Sequence, residues 1–329
     1  MDKLVDAHGR IDFGVITEPV GCVNYMDYAL KTSMGRPRSA LAKKLLFKQF
    51  YFVGIDSPET SVGLAVVDLR YAANAFFYVY DKADRTLVET SRTTLPGLAR
   101  IAPDPETGTA VFRSKRLSIS IGPERVSATS PAARVDADLL RRETSSLRIC
   151  TRTGFRGWTY TQKTAPIPVS GRLRVNGRDY PLLPDTAMAI TDWTAGYLRR
   201  HTFWNWAAVA TVLPDGRRFG MNLSCGVNET EATENVLWVD GVQTKVNHVK
   251  FGYNDEEKDL PWRVTSEDGK VNLSFQPFSS RSEHLNALIV ASRFIQFIGA
   301  FSGYVKDDRL GRIELAGCPG WTEEHYAKW

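Results

Sequence analysis

Cysteine is scarce in this chain: four in 329 residues, at Cys22, Cys150, Cys225 and Cys318, with no CxxC pair. That spacing supplies neither a zinc knuckle nor a dense disulfide framework, and it fits reduced thiols in a cytoplasmic protein. The five histidines, His8, His201, His248, His284 and His325, are scattered, so no local metal motif exists and neither metal nor cofactor is expected. A Rossmann fingerprint, a P-loop, HExxH, GxSxG and an EF-hand are all missing. The N-terminal "MDKLVDAHGRIDFG" has no apolar run of signal-peptide length, which argues against export. Without export, the sequons at Asn222, Asn228 and Asn272 carry little meaning. The most apolar stretch, "LNALIVASRFIQFIGAFSGYV", is broken by Asn286, Arg293 and Gln296 and falls short of the roughly 20 apolar residues a spanning helix needs.

Excess charge is also lacking. Forty-two basic against thirty-seven acidic residues leave +5, too little to imply nucleic acid unless focused. The one basic cluster, "RPRSALAKKLLFKQF", reads as a short helix with Leu41, Leu45 and Leu46 on one side. The expectation is that these leucines dock on a barrel and the cations face solvent; the alternative is a surface for an anionic partner.

What is abundant is β-pattern. "QFYFVGI", "SVGLAVVDL", "NAFFYVYD", "TLVETS" and "RLSISIG" follow one another, separated by turn formers. A polar interval from Gly122 toward Thr164, ending in "TAPIPVSG", then precedes a second series. Asn176-Gly177, Asp215-Gly216 and Asp240-Gly241 mark three hairpins in that series. "KVNLSFQPF", "LNALIVAS" and "QFIGAFSGYV" read as later strands, and "GWTEEHYAKW" as a helical turn or docked tail. The predicted fold is all-β: two lipocalin-like antiparallel β-barrel or half-barrel domains with a short N-terminal helix, divided as residues 1–165 and 166–329. The second domain is expected to carry the ligand cavity. The pattern sets no oligomeric state.

"YTQK" from Tyr160 to Lys163, "SGRLRVNGRDY", "ITDW", "HTFWNW", "RRFGMNL" and "ATENVLWVDG" occur in that order. Together they resemble a family that carries only a domain-of-unknown-function label and is distantly similar to two-domain lipocalin-like proteins such as carotenoid 1,2-hydratase. The resemblance implies two barrel-like domains and no established reaction, and it makes Tyr160 and Gln162 candidate substrate contacts. The family's aromatic and arginine before "TFWNW" are here replaced by "YLRRH", so it assigns His201 no role.

The richest stretch is "TDWTAGYLRRHTFWNWAAVATVLPDGRRFGMNLSCGV". A two-residue turn at Asp215-Gly216 pairs Val209 with Asn222 and places His201 and Asn205 with Arg218 and Asn222 on a polar face, along with Arg199. This register keeps like with like and is the expected one. A three-residue Pro214-Asp215-Gly216 loop shifts the register by one and puts Trp204 and Trp206 with Asn222 instead. Asp192, beside Trp193, is the candidate general acid, because an indole neighbour raises a carboxyl by desolvation. Glu234 is the second carboxylate, with Asn235 beside it as a donor to substrate, and His201 is a candidate acid or base. Each has a structural counterpart: a loop cap for Asp192, ion pairs to Arg199 or Arg218 for Glu234, core packing for the tryptophans, backbone bonding for the asparagines.

The predicted function is a cofactor-independent acid-base enzyme, of hydratase, lyase, cyclase or isomerase type, acting on a small or lipid-like organic molecule. The alternatives are a non-catalytic lipocalin-like carrier and a sugar-acting hydrolase with paired carboxylates.

Overall fold

The computed structural model describes residues 1–227, 230–287 and 290–329, with the backbone alone at Glu143. The sequon at Asn228 lies outside the described residues. Strands dominate, in two antiparallel sheets. Among the described residues no helix is long and apolar enough to cross a membrane.

The short helix is Ala40–Leu46, started by Ser39, whose hydroxyl accepts the Ala42 amide at 3.2 Å. Its leucines do not dock: no residue of the helix is buried. Phe47, just past it, does the docking, stacked on Tyr25 with centroids 3.8 Å apart in the first core.

The first sheet runs from Thr86–Thr94 through Ala73–Asp81, Thr60–Asp68, Lys48–Asp56, Met188–Tyr197 and Gly157–Val175, then through Ala133–Leu139 and three shorter strands to Ala99–Ile101. It curls on itself. Gln49 donates to the Ala102 carbonyl at 3.1 Å, and Val53, Leu64 and Phe77 share one core with Ile101, Phe112 and Ile119. The interval read as polar contains the strands Arg125–Thr129, Ala133–Leu139 and Leu147–Thr153. Val135, Ala137 and Leu139 point inward while Arg134 and Asp138 stay exposed, which is how a one-sided strand looks polar in sequence.

The expected 165/166 boundary falls inside the unbroken Gly157–Val175 strand. Pro166 sits where the pairing with Met188–Tyr197 shifts register, between Thr164 and Ile167, and Pro168 pairs with Met188 just beyond; such an irregularity accommodates proline within a sheet. The first sheet ends at Tyr197 and the second begins at His201; we propose that the domain division lies in this short connection.

The second sheet runs from Val242–Lys245 through Val236–Val239, Arg218–Cys225, His201–Val212, Gly311–Lys328, Val290–Asp307 and Val271–Ala287 to Trp262–Ser266 and Val249–Gly252. Thr244 donates to Asp307 at 2.8 Å, and Val209, Phe219 and Leu223 share a core with Val264, Leu273 and Phe301. Two expectations are corrected here. "GWTEEHYAKW" is neither helix nor tail but lies almost wholly in a strand at the centre of this sheet. Of "LNALIVAS", the first three residues end one strand and the last three begin its antiparallel neighbour, with Ala287 paired to Val290, while Leu288 and Ile289 lie outside the described residues.

The Arg218–Cys225 hairpin takes the three-residue loop. Leu213 and Arg217 bond across it at 2.8 Å, Gly216 adopts φ +87°, and Ala208 faces Asn222. The expected register is therefore off by one, because a left-handed glycine at the third loop position suits Pro-Asp-Gly. The shift turns Asn222 to the same face as Trp206.

The half-barrels pack through their other faces. Phe52, Phe76, Tyr78 and Ile190 of the first sheet meet Trp206, Ala208, Ile298 and Trp321 of the second in a separate buried cluster. The approach is close: a Cβ on Gly220 would lie 2.8 Å from the Ala165 main chain.

Candidate active site

A cavity of about 190 Å³ opens between the two sheets rather than inside the second half-barrel, as had been expected. Strand alternation determines what it sees. Along Met188–Tyr197, Asp192 and Thr194 face the second sheet, whereas Trp193, Ala195 and Tyr197 belong to the core of the first half-barrel. Asp192 and Trp193 thus point to opposite faces, so Trp193 is not the indole that desolvates Asp192. The strand also runs on to Tyr197, so Asp192 is no loop cap.

Register sets Lys163 directly across from Asp192. The Lys163 ammonium donates to Asp192 Oδ2 and lies 3.5 Å from Glu234 Oε2, while Thr194 donates to Asp192 Oδ1 at 2.8 Å. All three charged groups are buried. Burial opposes the Lys163 charge, but the two carboxylates reverse this and hold the ammonium protonated. One cation against two buried anions leaves one negative charge in excess. Burial first, and the Glu234 charge after it, therefore push the Asp192 carboxyl above its ordinary range against the pull of Lys163.

The opposite wall comes from the C-terminal strand. Glu323 lies between Trp206 and Gln296 in the ladder, and His325 between Trp204 and Phe294. Trp204 reaches diagonally to donate to Glu323 Oε1 at 2.8 Å, and Gln296 donates to Oε2 at 3.0 Å. Tyr78 of the first sheet donates to the Gln296 carbonyl oxygen at 2.8 Å, which turns the amide nitrogen toward Glu323. Burial raises the Glu323 carboxyl to about 7, against the hydrogen bonds from Trp204 and Gln296 and the charge of Arg281. Burial, and then Arg281, lower His325 to about 3, so its imidazole is neutral; Nε2 lies 2.9 Å from Ser292 Oγ. Arg281 is buried over the Phe76 ring at 3.9 Å and pairs with Glu89 of the first sheet at 2.8 Å, tying the half-barrels together.

Four candidates from the sequence line this cavity: Asp192, Glu234, Trp204 and Trp206. Asn222 stands just behind it, accepting from the Trp206 indole at 2.8 Å and donating to the Glu234 carbonyl at 2.9 Å, so it positions both rather than holding substrate. Asn235 likewise bonds the Ser224 amide and the Asn247 carbonyl. Asn205 points the other way, toward Tyr253 at 3.1 Å. Tyr160 and Gln162 bond each other at 3.0 Å inside the first half-barrel, where Tyr160 packs against Trp193. His201 is exposed and bonded to Tyr326 at 2.8 Å, and Arg199 is exposed nearby. Arg218 pairs with Val212 beside the Pro214–Gly216 turn, away from the cavity. The partner expected for Glu234, Arg199 or Arg218, is replaced by Lys163.

Lys163, Gln296, Glu323, His325 and Arg281 also line the cavity and are not among the residues the sequence marks as candidates. Lys163 ended a run already singled out. For Glu323 and His325 the available signal was period two: Trp321, Glu323 and His325 alternate along one strand face.

No curated protein matches this sequence. Among solved structures, a Nitrosomonas europaea protein provisionally named AttH is similar at 13% identity, over 86% of this chain and 92% of that one, with a TM-score of 0.48. Kievitone hydratase from Nectria haematococca is similar at 9% identity, over 85% of this chain and 88% of that one, with a TM-score of 0.49. The family described as Domain of unknown function (DUF2804) matches residues 1–329, and the chain belongs to it.

Proposed function

We propose that the chain is an acid-base enzyme of hydratase, lyase, cyclase or isomerase type, acting on a lipid-like organic molecule in the cavity between the half-barrels. The observation that carries this reading is Glu323: a buried carboxyl raised to about 7, held by Trp204 and Gln296 at the wall of a largely apolar cavity. Such a group carries a proton near neutral pH and releases it readily, as a general acid must. The acid role first given to Asp192 passes to Glu323. Asp192 and Glu234, sharing one ammonium, hold the excess negative charge that accepts a proton or orients water. The faces of Trp204 and Trp206 stabilise positive charge developing on the substrate.

A carrier has no need of this arrangement, since burying each ion costs several kcal/mol. The test is incubation of wild type and Glu323→Gln with an apolar metabolite extract, in H₂¹⁸O and in D₂O, read by mass spectrometry. Wild type should label a compound that the variant leaves unlabelled. A compound retained by the protein but labelled by neither would establish a carrier.

A further inference from the structure

We propose that the mouth of this cavity docks on an anionic lipid surface, from which the substrate enters; the substrate part rests on the reading of the cavity given above. The cavity is graded. Its floor is made of buried polar groups, Lys163, Asp192, Glu234 and Glu323, and its outer wall of partly exposed apolar ones, Leu69, Leu198 and Trp329. A molecule with a polar reacting end and a hydrocarbon body fits that gradient head first.

Strand register shows what surrounds the mouth. Gly196 pairs with Lys48, Asp68 and Thr94 both pair with Ala73, and His201 pairs with Lys328, so the adjoining turns and the Ala40–Leu46 helix gather at one end of the molecule. That end carries exposed large apolar side chains: Leu41 at 67%, Leu45 at 43%, Leu46 at 44%, Leu95 at 82%, Phe203 at 42% and Leu285 at 39%. Single exposed leucines are ordinary, but six on four separate segments at one end, of which Leu285 lines the cavity itself, make that end the apolar one.

Charge identifies the occupant. Residues 36–46 contain four cations that reach the surface, Arg36, Arg38, Lys43 and Lys44, and no acid, while Lys48 is buried against the Leu45 carbonyl. The helix itself interleaves exposed leucines with Lys43 and Lys44. An apolar patch with cations alongside matches the interface of an anionic bilayer, where acyl chains take the leucines and headgroups the ammonium groups. Leu285 belongs both to this end and to the cavity lining, which gives a lipid-like substrate an apolar route from bilayer to floor.

The experiment is co-sedimentation of the full chain with phosphatidylcholine vesicles, with and without phosphatidylglycerol. The wild type should bind the anionic vesicles. Leu41→Gln/Leu45→Gln should bind about tenfold more weakly and Lys44→Gln about fivefold more weakly, both with an unchanged thermal midpoint. Glu323→Gln should bind as wild type does, which keeps docking separate from catalysis. No binding to anionic vesicles, or equal binding by the leucine variant, overturns the proposal. So does a lipid-free dimer that the leucine variant dissociates, because the patch is then a contact between copies.

Discussion

Replacing Glu323 by glutamine probes the cavity through stability alone, without a substrate. The ordinary glutamate value is 4.5, and burial raises Glu323 to about 7. Between those values the folded chain keeps a proton that the unfolded chain has released, so stability falls as pH rises through that window. At about 1.36 kcal/mol per pH unit, the gap amounts to roughly 3 kcal/mol. Glutamine has nothing to ionise, and the difference between wild-type and variant unfolding free energies should therefore change by about that amount across the window. The absolute offset is smaller, because one amide oxygen faces two donors, Trp204 and Gln296, and an unmatched buried donor costs about 1–3 kcal/mol. The assay is urea unfolding of both proteins at closely spaced pH values from 4.5 upward, followed by tryptophan fluorescence. Parallel curves would refute the claim that burial keeps this carboxyl protonated.

His325 works in the opposite sense. Its ordinary 6.5 falls to about 3 in the fold, so the unfolded chain binds the extra proton and stability is lost as pH drops through that interval, by roughly 5 kcal/mol in all; His325→Gln should shift acid unfolding to lower pH. Lys163→Met strands Asp192 and Glu234 without their cation and should cost roughly 3–5 kcal/mol at neutral pH. That deficit should shrink on acidification and on adding Asp192→Asn, both read by denaturant midpoints. Asn222→Ala removes the acceptor of the Trp206 indole and a donor to the Glu234 carbonyl and should lower stability by about 2–4 kcal/mol, with a shift in tryptophan emission.

Local chemistry carried much of the fold. Asn176-Gly177 and Asp240-Gly241 announce hairpins because both residues of each turn need positive φ, and they adopt 48° and 88°, and 50° and 79°. Pro214 hid the third, since proline followed by Asp-Gly serves either loop length. The 165/166 division rests on reading prolines as a linker, although Pro166 sits where a long strand shifts register and Pro168 pairs with Met188 just beyond it. The site was half legible. Asp192, Glu234, Trp204 and Trp206 stood out as polar or aromatic residues in strand context. Glu323 and His325 did not, because their strand is buried on both faces and its charges read as solvent-facing. Which side chains meet depended on packing between two sheets, which no single-strand pattern contains: Tyr78 and Gln296 come from different sheets, and Lys163 of the first sheet meets Glu234 in the segment leading into the Val236–Val239 strand of the second.

The central claim, that the cavity stores a proton near neutral pH on Glu323, is tested most directly by ¹³C NMR titration of protein labelled at the glutamate side-chain carboxyls. The account predicts one resonance titrating at about 7, absent in Glu323→Gln. If every glutamate titrates near the ordinary 4.5, Glu323 is ionised at neutral pH and is not the acid.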